Sequence, residues 1–241
     1  MSSTLPPPRV FIIPAAEADV ALVFRRGPSA WYHLMKWDMA HDKFEPGAWL
    51  RGRIYPEKCD VSPDDALVVY LVHQGRKFRT SYTDAWTGVS RLPWLTALAL
   101  WPWGTTYGGG GRFLGPRHVC IRGACDGEPH PDHPGYGLVV QSGSCPQHRS
   151  TDEVVGADWS GRSRFGDLIY ARGGKIYRRS ARGVRDRVVA DLNGLKPDPR
   201  PAPQWATRPL RSQERNMAIQ RTYRKRACAH LLAADGRRSA A

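Results

Sequence analysis

The chain has 241 residues, 41% of them hydrophobic and 10% aromatic, which is ordinary for a folded globular protein and enough for one good core or two small ones. Thirty-six Lys and Arg against 22 Asp and Glu leave a formal charge of +14, which directs attention to polyanions. No run of about 18 apolar residues exists, and the first twenty residues lack the basic stretch and apolar core of a signal peptide, so a soluble, cytoplasmic protein with no membrane partner is expected.

In chain order, residues 1–9 contain "LPPP" and are expected to form an extended arm, since prolines supply no ladder donors. From Val10 to about residue 200, short apolar runs are punctuated by Gly, Pro, Asp and Ser, and no stretch keeps a 3.6-residue period for three turns. This body reads as β-rich.

A strand, turn, strand pattern recurs at 21–34 (ALVFRRGPSAWYHL), 66–78 (ALVVYLVHQGRKF) and 167–179 (DLIYARGGKIYRR), with a weaker copy at 112–123 (RFLGPRHVCIRG). The spacing is close to a period of roughly 45 to 50 residues. Two lead-ins also match, "CDVSPDD" and "ADWSGRS", aligning Asp60 and Ser62 with Asp158 and Ser160 as turn formers before a strand. The bracketing prolines of "LPWLTALALWP", Pro93 and Pro102, mark a buried strand between them.

The run of glycines at 108–111, beside Trp101 and Trp103, has no Gly-Lys-Ser/Thr after it and no helix signature beyond Phe113. It reads as a hairpin or tight crossing under the tryptophans, not as a phosphate loop. Nine tryptophans are spread along the chain, mostly as packing between sheets; Trp94, Trp101 and Trp103 are the candidates for an exposed aromatic rim that meets a protein partner.

Residues 118–148 hold His118, Cys120, Cys125, His130, His133, Cys145 and His148. Cys120 and Cys125 with His130 and His133 are the candidate zinc ligands, although the His pair is one residue tighter than usual zinc spacing. The competing reading is a proline-rich loop with incidental histidines and small, buried thiols, and no cofactor. Ser142, Ser144, Cys145 and His148 lie close in sequence, but no Gly-x-Ser-x-Gly elbow accompanies them, so no catalytic residue is assigned. With five cysteines, an odd number, reduced thiols or metal ligands are favoured over a disulfide framework.

The last segment, 201–241, is a basic tail. From Trp205 onward nine Lys or Arg face two acids, and Ile219, Tyr223, Ala227 and Leu231 recur at four-residue spacing, as in a narrowly amphipathic helix over 210–235. Arg221, Arg224, Lys225 and Arg226 on it are the candidates for nucleic-acid contact.

The phrase "DVSPDDALVVYLV" resembles the repeat of WD-repeat-like, Tol-type β-propellers, in which a Ser-Pro-Asp turn precedes an inner strand and a hairpin follows. More broadly, "VFRRGPSAWYHLMKWD", "FEPGAWLRGRIYPEKCDVSPDD", "AWTGVSRLPWLTALALWPWGTTYGGGGRF" and "HPDHPGYGL" together look like an uncharacterised bacterial family, a resemblance that implies a coherent domain over about 10–195 and supplies no activity. The expected fold is all-β, a small or incomplete propeller-like array of about four strand-hairpin units with a basic C-terminal helix; a β-sandwich is the alternative. The expected function is a non-catalytic scaffold for a protein partner. Nucleic-acid binding through the tail and a zinc module or enzyme at 118–148 are the alternatives.

Overall fold

A computed structural model of the chain describes residues 6–27, 29–75, 80–123, 128–151 and 153–210. The body is all-β, in four small sheets. The first runs β1 (Arg9–Pro14), β2 (Val20–Arg26), β3 (Trp31–Asp38) and β4 (Lys43–Arg51), antiparallel in chain order. The second contains β5 (Arg53–Ile54), a 3-10 turn (Pro56–Lys58), β6 (Asp60–Val61), β7 (Leu67–His73), β8 (Ala85–Arg91) and β9 (Ala99–Pro102), with β7 pairing β5, β6 and β8. The third pairs β10 (Gly111–Gly115) with β11 (His118–Arg122) antiparallel and β11 with β12 (Val139–Gly143) parallel. The fourth is the antiparallel meander β13 (Trp159–Arg162), β14 (Leu168–Arg172), β15 (Lys175–Arg179) and β16 (Arg187–Asp191). One helical turn, α1 (Gln204–Thr207), follows, and no described helix is long and apolar enough to cross a membrane.

Each of the four recurring segments falls in its own sheet: 21–34 spans β2 and β3, 66–78 includes β7, 112–123 spans β10 and β11, and 167–179 spans β14 and β15. The unalternating runs of β2 and β7 have a direct cause, because each lies in a sheet covered on both faces. Leu22 and Phe24 of β2 join Val68, Tyr70 and Val72 of β7 in one core, while Ala21 and Val23 face Trp159, Ile169 and Ile176 of the fourth sheet. Leu67 and Val69 of β7 turn the other way, onto Phe113, Val119 and Ile121 of the third sheet. The cores therefore link the sheets in the order fourth, first, second, third.

Two local expectations are corrected. The strand between Pro93 and Pro102 occupies only its second half, from Ala99. The Trp94 N–H closes a turn onto the Arg91 carbonyl (2.7 Å), the Leu95 carbonyl accepts from the Tyr70 hydroxyl (3.1 Å), and pairing to β8 resumes only where the Leu98 N–H reaches Val89 (2.8 Å). The Ser62 turn also has a different counterpart. Ser62 accepts from the Leu67 N–H through its hydroxyl (2.9 Å), and the residue doing this before β14 is Ser163, which accepts from Asp167 (3.1 Å); Ser160 instead lies inside β13.

The glycine run is a tight crossing. A Cβ on Gly110 would stand 2.2 Å from the Lys58 carbonyl and one on Gly111 would stand 2.4 Å from the Cys120 carbonyl, while one on Gly108 would press on the Trp103 ring at 3.1 Å. Gly109 and Gly110 both have left-handed φ, at 77° and 73°. The Lys58 ammonium donates to the carbonyls of Thr106 and Tyr107 at 2.6 and 3.0 Å, and the Thr87 hydroxyl accepts from the Gly110 N–H and the Trp103 indole, so these backbone groups are spent on the crossing itself. At the N-terminus β1 begins at Arg9, and Pro8 is already buried.

Candidate anion-binding cleft

The residues singled out by sequence go to different places. Trp101 faces into the core at 4% exposure, Trp103 is half-buried and held by Thr87, and Trp94 is half-buried with its indole nitrogen enclosed. The expected exposed rim is thus corrected: the core between the second and third sheets claims Trp101. Of the zinc candidates, Cys125 lies outside the described residues. Cys120 is buried on β11, and the Cys145 thiol donates toward its carbonyl at 3.7 Å. His130 and His133 pack around Tyr82, and His133 Nδ1 lies 2.8 Å from the Ala97 carbonyl. Among the described residues no three His, Cys, Asp or Glu side chains are grouped to hold a metal ion. Burial pushes the Cys145 thiol up to about 11, so it stays protonated and unreactive near neutrality. Arg221, Arg224, Lys225, Arg226 and the expected tail helix lie outside the described residues.

His148 is held by Asp60. Its Nε2 lies 2.7 Å from Oδ1 of the buried Asp60, whose other oxygen accepts the Phe113 N–H at 2.8 Å, with the Arg112 guanidinium at 3.7 Å. Asp60 therefore ties three segments together: β6, β10 and the loop after β12. Asp64 accepts from Ser62 and pairs with Arg117, and Asp65 pairs with Lys36.

A site that sequence did not single out lies where the first and second sheets meet. Strand pairing sets Arg9 of β1 directly opposite Arg26 of β2, and Arg26 directly opposite Tyr32 of β3. Directly opposite residues project from the same face, so two guanidiniums and a phenol share one row. From the second sheet, Arg53 of β5 approaches the same phenol, and Arg51 stands just before it. Together they line a cleft with a wide part of about 600 Å³, bounded by Arg26, Arg51, Arg53, His73 and Gln74, and a narrow part of about 170 Å³ that shares Arg26, Tyr32 and Arg53 with it.

The electrostatics of the wide part are one-sided. Elsewhere guanidiniums meet carboxylates: Arg179 with Asp186 at 2.8 Å, Arg117 with Asp64 at 3.4 Å, Arg178 with Asp42 at 3.4 Å. Among the described residues Arg9, Arg26, Arg51 and Arg53 have no such ion pair, and like charges directly opposite on neighbouring strands are destabilising. Tyr32 is 4% exposed and lines both parts of the cleft. Burial pushes the Tyr32 phenol above its ordinary value, while the Arg26 and Arg53 charges pull it back. Arg53 also stacks over the Tyr55 ring at 4.8 Å, which fixes the plane of its guanidinium without using its donors.

No family model, curated protein or solved structure matches this chain. The cleft is therefore read from its own chemistry. Arg26, Arg51 and Arg53, with the Tyr32 phenol and no carboxylate among the described residues lining the wide part, have the chemistry to hold a multiply charged oxyanion. The groups present can hold and orient an anion. Composition alone did not reveal the site, since a surplus of 14 positive charges does not say which arginines face each other. The available signal was the strand register: pairing the first two strands of the sheet would have set Arg9 against Arg26.

Proposed function

We propose that the protein is a non-catalytic binding module that takes a multiply charged oxyanion, of the phosphate or polyphosphate kind, in the arginine cleft between its first two sheets. The observation that carries this reading is the wide part of the cleft, where Arg26, Arg51 and Arg53 come together with no carboxylate among the described lining residues. An anion there would relieve the repulsion between the arginines. In this reading the four sheets form a propeller-like array. The cleft sits at a seam between units, supported by the core order fourth, first, second, third and by the lining that Asp158, just ahead of β13, contributes. This reading sets a small anion in place of the protein partner expected from the sequence.

The test is calorimetric titration with inorganic pyrophosphate at low and physiological salt. Arg26→Ala and Arg53→Ala are each expected to weaken binding by about tenfold or more, the scale of a lost charge-assisted contact. Arg182→Ala, on an exposed turn of the fourth sheet, is expected to leave it unchanged. Absence of binding by the unaltered protein, or equal loss in all three variants, refutes the cleft as the site.

A further inference from the structure

The two parts of the cleft differ in kind. The wide part has three arginines and no carboxylate. The narrow part is walled by Val10, Phe11, Phe24 and Ile54, and it contains the only two acids of the whole cleft, Glu57 and Asp158. Arg26, Tyr32 and Arg53 line both parts, so the two are continuous. The Glu57 carboxylate makes no hydrogen bond or ion pair among the described residues; only its main-chain carbonyl is used, by the His148 N–H at 2.9 Å. Asp158 accepts from the Val10 N–H and keeps acceptor capacity on a carboxylate.

An inorganic oxyanion would use only the wide part and would be repelled by the acids beyond it. A ligand that fills both parts needs negative charge at one end. At the other it needs a flat, uncharged body with apolar faces and N–H donors on its edge. We infer that the cleft holds a nucleoside 5′-phosphate, its phosphates on Arg26, Arg51 and Arg53 and its base in the narrow part with an amino edge on Glu57. A guanine edge fits this best, because N1–H and the exocyclic amine lie side by side and match the two oxygens of one carboxylate. The apolar walls, with the ring of Tyr55 at the mouth, supply the faces of the base with contact that is insensitive to salt. Selectivity then has a physical source: a base lacking those donors leaves the Glu57 carboxylate desolvated and unpaired.

This inference rests on the anion reading of the cleft, and the experiment separates the two. Full-length protein is titrated with GDP, UDP and pyrophosphate, and with a 5′-phosphorylated guanine oligonucleotide. GDP is expected to bind at least tenfold more tightly than pyrophosphate and than UDP. Glu57→Gln is expected to remove that advantage while leaving pyrophosphate affinity unchanged or higher, and Arg53→Ala to weaken GDP and pyrophosphate alike. Thermal melts of each variant confirm that it is folded. GDP no tighter than pyrophosphate, with pyrophosphate binding still dependent on Arg53, overturns the nucleotide assignment and leaves the anion site standing. Failure of both ligands to bind overturns both. Tighter binding of the oligonucleotide than of GDP overturns the free nucleotide as the occupant.

Discussion

Lowering the pH should destabilise the protein through His33, and replacing that residue by phenylalanine should remove the effect. His33 lies on β3 between Arg25 of β2 and Trp49 of β4, 3% exposed, with its ring stacked on Trp49 at a centroid distance of 4.1 Å. Neither ring nitrogen has a hydrogen-bond partner among the described residues. Burial, with a further push from the Arg25 charge, lowers its pKa from 6.5 to about 4. The folded state therefore takes up this proton less readily than the unfolded chain. The stabilisation is complete above pH 6.5, falls as pH drops below it, and levels off below about 4. With those two values the loss is about 2 kcal/mol by pH 5 and approaches about 3 kcal/mol at lower pH. Phenylalanine keeps the stack and the volume and carries no proton. Urea unfolding of the unaltered protein and of His33→Phe at about pH 8 and pH 5 gives the His33 contribution as the change in their difference, since the carboxylates common to both cancel. A difference that stays constant across that range refutes the reasoning, as does a variant much less stable at pH 8.

Gly110→Ala should cost well over the roughly 1 kcal/mol of a left-handed residue alone, because its Cβ meets the Lys58 carbonyl at 2.2 Å; Gly104→Ala, with φ of 62° and nothing within 4 Å, supplies the comparison in thermal melts. Lys58→Met should leave the carbonyls of Thr106, Tyr107 and Gly108 without their shared donor, costing about 1 to 3 kcal/mol, and should speed amide exchange in the glycine crossing before it affects β2 or β3. Asp60→Ala should destabilise by a similar amount, about 1 to 3 kcal/mol, through the Phe113 N–H and His148 together, so a double substitution with His148→Ala should cost less than the sum of the two measured separately. Cys59, Cys120 and Cys145, all buried, should resist iodoacetamide at pH 7.5 until the chain unfolds, as peptide mapping by mass spectrometry will read out.

Much of the architecture was visible in the residues. The four recurring segments fall in four separate sheets, the second run of 66–78 lying outside the described residues, and the glycine run is the tight crossing its lack of a following helix implied. What escaped depended on pairing. Ser160 looked like the partner of Ser62 because both follow an aspartate by two residues, but the turn-closing hydroxyl belongs to Ser163, nearer the strand that follows. Trp101 stands in an apolar run whose two faces cannot be told apart without its neighbours, and β8 places it inward. Cys120 drew notice as a ligand because of nearby histidines in sequence, whereas the parallel pairing of β11 with β12 brings Cys145 to it instead. The cleft was the least visible feature, since Arg26, Tyr32 and Arg53 come from three strands and two repeat units, and no short window holds them together.

The linear succession of cores also bears on how the protein comes apart. The first and second sheets each give one face to the other and one to an outer sheet, so the third or fourth sheet can detach while the central pair keeps its shared core of Phe24, Leu34, Val68 and Tyr70. Opening is then graded, with the outer sheets as separately melting units and the arginine cleft carried by the last pair to separate. Opening of the third sheet leaves the lining of the cleft in place, whereas opening of the fourth withdraws Asp158 from its narrow part.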